Sequence, residues 1–333
     1  MSYNTRLGIC IPTYKRPDQL RQCVDSIIAS AAPSDVPIFI ADDSADETNT
    51  ALIAELQSRY PHIVYEKNPR NLGIDRNILH SVDLCDCDFA WLMGEDDRMK
   101  ASAVPTVLAV LARLAEPPAF IAANYSSVDE HIAFVVKDRL LAISEDTVRE
   151  AETFFRQEAP AIGFIGGCVI NMQLWRMVDP APYLDTYFAH AGRILASMYG
   201  RQVYLIAEPQ VLNRSGGAHV FTWSDDAYGV FHGWEAVVHR LEPIYGPEAC
   251  RACIESFHRM HGVNTIRFLC AKRADNLYNL DIYRRSIKSG DFSPLYKIAA
   301  FLIACAGPEP FDLYRRLLAA RRQRRNPRAS VLD

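Results

Sequence analysis

Phe89-Ala90-Trp91-Leu92-Met93-Gly94-Glu95-Asp96-Asp97 is an unbroken apolar run that stops on a glycine and three acids. A run this short, closed by a turn residue, reads as a strand buried on both faces. Such strands belong to sheets covered by helices, and the carboxyl edge where the acids fall is where open α/β sheets bind ligands. The same layout recurs on either side. Residues 7–11 are apolar ahead of Thr13-Tyr14-Lys15-Arg16, and residues 37–41 run into Asp42-Asp43-Ser44. Residues 63–65 and 119–123 give two more strands. Helical spacing fills the intervals: Leu20, Val24, Ile27 and Ile28 within 18–32, Leu52, Ile53 and Leu56 within 46–60, Ile74, Ile78 and Val82 at 75–84, and an apolar helix over 103–114. Alternating strands and helices predict a mostly parallel α/β sheet over residues 1–125.

After residue 125 the pattern changes. Residues 128–143 alternate like a hairpin, 146–157 read as a helix, 163–170 as a glycine-containing strand, 186–199 as a helix and 203–207 as a strand. Residues 214–226 form a loop rich in Gly, Ser and aromatics, and from 228 onward the chain is largely helical.

The 333 residues are 49% hydrophobic and 23% charged, the proportions of a globular protein. A formal net charge of −4 excludes a nucleic-acid binder with a basic body. The charge is uneven, because Arg315, Arg316, Arg321, Arg322, Arg324, Arg325 and Arg328 crowd one segment. That segment reads either as a solvated helix end or as a surface for anionic lipid, and the apolar stretch 296–306 before it suits a membrane interface. No apolar run reaches the ~18 residues of a bilayer span. The start has no apolar core of a secretory signal, and nine scattered cysteines read as reduced thiols. The expected location is cytoplasmic, with peripheral contact at the cytoplasmic face of the inner membrane. Cys250, Cys253, His258 and His261 share one helical face, which reads as a core-facing stripe ahead of a zinc site.

Three strand ends carry the chemistry. Adjacent carboxylates at Glu95, Asp96 and Asp97 repel one another unless a cation sits among them, and Mg²⁺ or Mn²⁺ prefers such oxygens together with substrate phosphates. The plainer reading is an acidic turn capping the next helix. Asp42-Asp43 can accept from a base N–H or a ribose hydroxyl, or else cap a helix with Ser44 and Asp46. Asn68-Pro69-Arg70-Asn71-Leu72-Gly73-Ile74-Asp75-Arg76-Asn77 brings Arg70 and Arg76 to the same edge, where a planar guanidinium suits phosphate, or is a loop capped by Asp75. The chain lacks G-x-G-x-x-G after its first strand, a Walker A sequence and G-x-S-x-G, which argues against dinucleotide-binding, P-loop and α/β-hydrolase enzymes.

Ile9-Cys10-Ile11-Pro12-Thr13-Tyr14-Lys15-Arg16-Pro17, Ala41-Asp42-Asp43-Ser44, Asn71-Leu72-Gly73 with Arg76-Asn77, and Gly94-Glu95-Asp96-Asp97 together resemble glycosyltransferase family 2, in its order and spacing. Residues 71–78 look most like bacterial sugar transferases of the abequosyltransferase type, which build surface polysaccharides. The resemblance covers about residues 6–125 well. It implies a GT-A fold with a Rossmann-like sheet, a nucleotide-sugar half at 1–125 and an acceptor half at 126–225, followed by a helical region with a basic tail at 226–333. It implies transfer of a sugar from a nucleoside-diphosphate donor to a glycan or lipid-linked glycan, metal-assisted and inverting. Pro12, Thr13 and Tyr14 would lie under the nucleotide, Asp43 at the base and Arg76 near the ribose or diphosphate, with Arg16, Asn71 and Asp96 on the same side. Asp97, with Glu95, would hold Mn²⁺ or Mg²⁺. The chain departs from the family pattern in having Glu at the first acid, Ser44 in place of a glycine, and no Glu-Asp pair at the catalytic base. His190 or Asp185 stands near that base position, each also readable as a structural residue. Trp175, Arg214 and Trp223 are acceptor-side candidates or core residues. A sugar-phosphate nucleotidyltransferase, or a non-catalytic sugar-nucleotide-binding assembly subunit, is the alternative function.

Overall fold

The central strand β1 (Leu7–Thr13) alternates its side chains between two apolar layers, as a strand buried on both faces must. The computed structural model describes residues 6–32, 34–214, 227–263, 265–288 and 292–313. After β1 come α1 (Pro17–Ala31), β2 (Ile38–Asp42), α2 (Thr50–Arg59), β3 (Ile63–Lys67), α3 (Ile74–Asp83), β4 (Phe89–Leu92), β5 (Arg98–Met99) and α4 (Ala103–Arg113). The second half continues with β6 (Phe120–Val128), β7 (Val135–Lys137), β8 (Thr147–Glu150), α5 (Ala151–Gln157), β9 (Cys168–Asn171), α6 (Met172–Trp175), α7 (Ala189–Met198) and β10 (Gln202–Arg214). Helices α8 (Ala227–Arg240), α9 (Glu242–Tyr245), α10 (Pro247–His261), α11 (Ile266–Ala274), α12 (Leu280–Ile282) and α13 (Pro294–Cys305) follow.

One sheet runs β3-β2-β1-β4-β9-β6-β10-β5, with β7 beside β6 and β8 beside β10. The first four strands are parallel, and β9 is antiparallel to both β4 and β6. Ile9, Ile11, Phe89 and Trp91 face a layer with Leu20, Val24 and Ile27 of α1, Leu56 of α2 and Val107 of α4. Cys10, Ala90 and Leu92 face the opposite layer, with Ile78 and Val82 of α3, Phe154 of α5 and Ile194 of α7. Trp234 of α8 and Cys250 and Cys253 of α10 belong to that second layer too. The C-x-x-C pair is therefore core packing, and among the described residues no three His, Cys, Asp or Glu side chains group to hold a metal. The last helices have a core of their own, around Tyr228, Leu269, Tyr278, Ile287 and Ala300. No helix among the described residues is long and apolar enough to cross a membrane.

The strands and helices expected in the first half are all present, with α2 starting later than expected at Thr50, β6 running on to Val128, and β5 unexpected. The second half differs in four places. Gly163 and residues 165–167 belong to two 3₁₀ turns on either side of Phe164, so the strand expected over 163–170 is confined to β9. Gly167 is needed there because a Cβ would meet the Ala123 carbonyl at 3.1 Å. Residues 147–150 pair with β10 and do not start a helix. The helix expected at 186 begins at Ala189. The strand expected over 203–207 continues to Arg214, shifting register between Ile206 and Val211 where Pro209 cannot donate to the ladder. That continuation carries Arg214 to the acidic turn after β4.

Candidate active site at the carboxyl edge of the sheet

Glu95, Asp96 and Asp97 leave β4 in a tight turn, and all three are buried. Glu95 turns toward β1. Its Oε2 accepts the Thr13 hydroxyl and, at 2.9 Å, the Tyr14 amide, and its Oε1 lies 3.6 Å from Arg16. Asp97 turns toward β10, and its Oδ1 accepts the Arg214 amide at 2.9 Å. The Arg214 side chain folds over the turn, donating from Nε to the Asp96 carbonyl at 2.9 Å. Asp96 lies between them. Its Oδ2 is 3.6 Å from Arg16 and, although buried, accepts no hydrogen bond. Gly94 leaves room for this crowding, because a Cβ there would strike the Asp97 carboxylate and stand 3.2 Å from Asp96 Oδ1.

Burial holds all three carboxyls above their usual range. Glu95 is pushed up to about 7, with Thr13, Tyr14 and Arg16 pulling the other way. Asp96 is raised by burial against the pull of Arg16 and Arg214. Asp97 is raised well above by burial and then by Asp96 beside it. Three buried carboxyls share two guanidiniums here, Arg16 and Arg214, so negative charge is in excess when all three ionise. A hard divalent cation fits the donor set: three adjacent carboxyls, one with an orphaned buried oxygen. Among the described residues no three acids converge, so the protein would supply one or two ligands and phosphate oxygens the rest, the arrangement small hard cations favour.

The neighbouring strand ends build a wall. Asp43, after β2, accepts from Asn68 Nδ2 at 2.9 Å, the Leu72 amide at 2.7 Å and the Gly73 amide at 3.0 Å, so its carboxylate fixes the loop between β3 and α3. Asn68 donates to Asn77 Oδ1 at 3.0 Å, and Asn77 donates to the Thr13 carbonyl at 3.3 Å, tying loop and helix back to β1. Asn71 shapes the same loop by accepting the Gly73 amide at 2.8 Å. Pro12 is partly buried and Tyr14 exposed above the edge, while Lys15 takes a left-handed φ of 54° as its amide reaches Ser44 Oγ at 2.9 Å. The sequence motifs contain Asn68 and Asn77 but give neither a role, because their side-chain pairings across the loop have no local pattern.

The structure separates the two base candidates. His190 is 1% exposed, with Nε2 at 3.1 Å from the Ile162 carbonyl and its ring against Phe188. Burial pushes it down to about 4, so it is a neutral core residue out of reach of a substrate hydroxyl. Asp185 is exposed at the edge, 3.0 Å from Arg76 in the first turn of α3. Trp175 is a core residue and not an acceptor-side one. It is fully buried, donates to Asp83 at 2.7 Å and carries the Arg193 guanidinium 4.1 Å over its ring, so no sugar reaches its face. Arg214 belongs to the acidic turn. Trp223 and the arginine-rich tail lie outside the described residues.

Residues 8–167 match the family model for glycosyl transferase family 2. An abequosyltransferase of Salmonella typhimurium is 25% identical over 228 residues, covering 62% of this chain and 66% of that protein, just under two thirds of its length. Among solved structures, S. aureus TarS 1–349 in complex with UDP-GlcNAc superposes with a TM-score of 0.57 at 10% identity, over 78% of this chain and 73% of that one. The same protein without that ligand gives 0.57 at 9% identity over 93% and 91%. At such identities the likeness establishes the fold, a GT-A glycosyltransferase fold with a mixed sheet flanked by helices.

Proposed function

We propose that this chain, whose residues 8–167 match the model of glycosyl transferase family 2, moves a sugar from a nucleoside-diphosphate donor to a glycan acceptor of the kind found in surface polysaccharides. The observation that carries the reading is the buried acidic turn at 95–97, closed by Arg16 and Arg214 at the carboxyl edge of the sheet. In this reading residues 1–225 are the catalytic unit. Pro12, Thr13, Tyr14 and the wall built on Asp43 and Asn71 form the nucleotide side. Asp97 and Asp96 would hold Mn²⁺ or Mg²⁺, with Glu95 fastening the turn to β1. When bound, such a cation offsets charge on a leaving diphosphate. Arg16 and Arg214 stand beside that position as fixed cations.

Asp185 is the proposed base. It takes the proton from the acceptor hydroxyl as that oxygen bonds to the anomeric carbon. The bond from that carbon to the diphosphate oxygen breaks on the opposite side, and the nucleoside diphosphate leaves with the electron pair. In-line displacement of this kind inverts the anomeric centre. Arg76, paired with Asp185, links the two halves of the site.

A thermal-shift screen with UDP, GDP, CDP, ADP and dTDP, each with and without Mn²⁺, tests the reading. A ligand bound only by the folded state raises its stability by mass action. One nucleotide should give a Mn²⁺-dependent shift that Asp97→Ala removes. An undiminished shift in Asp97→Ala would sink the metal assignment, and pyrophosphate release from a nucleoside triphosphate and a sugar phosphate would move the enzyme to nucleotidyl transfer.

We further propose that the acceptor is lipid-linked and that α13 rests on the membrane. Leu295, Ile298, Phe301 and Leu302 are exposed on this helix, which contains no acid, and seven arginines follow within 315–328. Flotation with anionic vesicles should weaken in Leu295→Ser/Leu302→Ser. Equal flotation of both proteins would refute this surface.

A further inference from the structure

Asp75 opens α3, where a carboxylate would ordinarily serve its own helix. Instead it reaches across the site and is 4% exposed. Its Oδ2 accepts the Thr186 amide at 2.8 Å and the Tyr187 amide at 3.2 Å, and its Oδ1 accepts the Ala189 amide at 3.2 Å. These amides form the turn leading into α7, the turn that carries Asp185. Two non-glycine residues in it are left-handed, Asp185 at φ 62° and Tyr187 at φ 66°, and for the bulky Tyr187 that conformation is costly unless the surroundings impose it. The opposite side of the turn is closed by Gly233 of α8, where a Cβ would overlap the Thr186 carbonyl. Within the turn, Thr186 Oγ1 donates to the Tyr183 carbonyl at 2.8 Å and accepts the Phe188 amide at 3.1 Å.

We propose that Asp75 is a positioning residue for sugar transfer: by gripping three amides of the 186–189 turn it sets the place and direction of the Asp185 carboxylate. The proposal rests on Asp185 being the base. Asp75 and Arg76 then divide the work at one helix end, Asp75 holding the backbone under Asp185 and Arg76 meeting its carboxylate at 3.0 Å. The same helix end is fastened to the nucleotide side, since Asp43 holds Leu72 and Gly73 just ahead of it. Donor wall and acceptor carboxylate thus share one rigid support.

The test uses the full chain as wild type, Asp75→Asn, Asp185→Asn and the double variant. Hydrogen exchange reads the grip directly: Asp75→Asn should speed exchange at 186–189 and leave the amides of β1 and β4 unchanged. Turnover is read as nucleoside-diphosphate release from a panel of UDP-, GDP-, CDP-, ADP- and dTDP-linked hexoses with Mn²⁺, and nucleotide affinity by thermal shift. A displacement of the base by about 1 Å costs on the order of 10²-fold in rate. Asp75→Asn should lose turnover on that scale with nucleotide affinity unchanged, and should add less than about twofold to the loss in Asp185→Asn, because both act through one carboxylate. An equal loss from Asp75→Asn in both backgrounds would overturn the positioning role while leaving Asp185 as base. Wild-type turnover in Asp185→Asn would remove the base assignment, and this proposal with it. Unchanged exchange at 186–189 would overturn the grip itself.

Discussion

Replacing Gly94 by alanine adds one methyl group to the most crowded point of the site. The methyl would fall about 1 Å inside the 3.4 Å at which ordinary contact begins, against Asp97 Oδ2, and would also press on Asp96 Oδ1 at 3.2 Å. The Asp97 carboxylate cannot retreat freely. Asp97 is held from behind by the Arg214 amide at 2.9 Å, and the Asp96 carbonyl is held by Arg214 Nε. The strain therefore either swings the Asp97 carboxylate by about 1 Å or breaks its bond to β10. Overpacking of this size lowers stability by about 1–3 kcal/mol. Misplacing a group by about 1 Å in a preorganised site costs on the order of 10²-fold in rate. The assay is nucleoside-diphosphate release at saturating donor, with the Mn²⁺-dependent part of the nucleotide thermal shift measured on the same protein. At a nucleotide concentration 100-fold above Kd the shift corresponds to about 2.7 kcal/mol, and a 10²-fold weaker complex would retain about 0.4 kcal/mol. Gly94→Ala with wild-type turnover and an intact Mn²⁺-dependent shift would refute the placement of Asp96 and Asp97 at the reacting diphosphate.

Asp185→Asn should cost under about 1 kcal/mol of stability, because its pair with Arg76 is 48% and 76% exposed, while lowering turnover by about 10²–10⁴-fold as loss of a general base does. Trp175→Phe should do the reverse. It removes the bond to Asp83 and weakens the Arg193 stack, for about 1–3 kcal/mol by denaturant unfolding, with turnover per folded molecule unchanged. His190 supplies a pH signature of folding. Burial holds it down to about 4, against an unfolded value near 6.5, so its contribution is full above about pH 6.5 and is lost as the pH falls toward 4, about 3 kcal/mol in all. His190→Gln should flatten that part of the stability profile and leave the pH dependence of turnover in place; a shifted turnover profile would return His190 to the reaction.

The parallel half of the sheet was legible because every signal in it is local. Residues 7–11, 37–41 and 89–93 are apolar runs ending on polar residues, and Leu20, Val24 and Ile27 repeat at helical spacing. The second half is decided by distant partners. Thr147–Glu150 has no more strand character than the helix after it, and it becomes a strand because β10 offers an edge. Gly163–Ile170 reads as one apolar run, yet its first part coils into 3₁₀ turns, since Gly166 packs on Phe164 and Gly167 on the Ala123 carbonyl. Glu208 and Pro209 hide the length of β10, because periodicity fails at the bulge and resumes beyond it.

The site divides along the same line. Thr13, Glu95, Asp96 and Asp97 sit at the ends of adjacent strands, so reading the strands already brings them together. Arg214 joins them from 117 residues away, through an amide whose position depends on the unseen bulge. His190 and Asp185 looked equivalent in sequence because they lie five positions apart. What separates them is the left-handed turn between them: it aims Asp185 outward and starts α7 with His190 facing the core. That turn is fixed by Asp75, 111 residues upstream of Thr186, and no periodicity links the two. A carboxylate capping a distant helix looks, in sequence, like one capping its own. The choice between His190 and Asp185 was thus ambiguous for the same physical reason that Asp75 was read only as a loop cap: the information lies in a tertiary contact between α3 and the turn before α7.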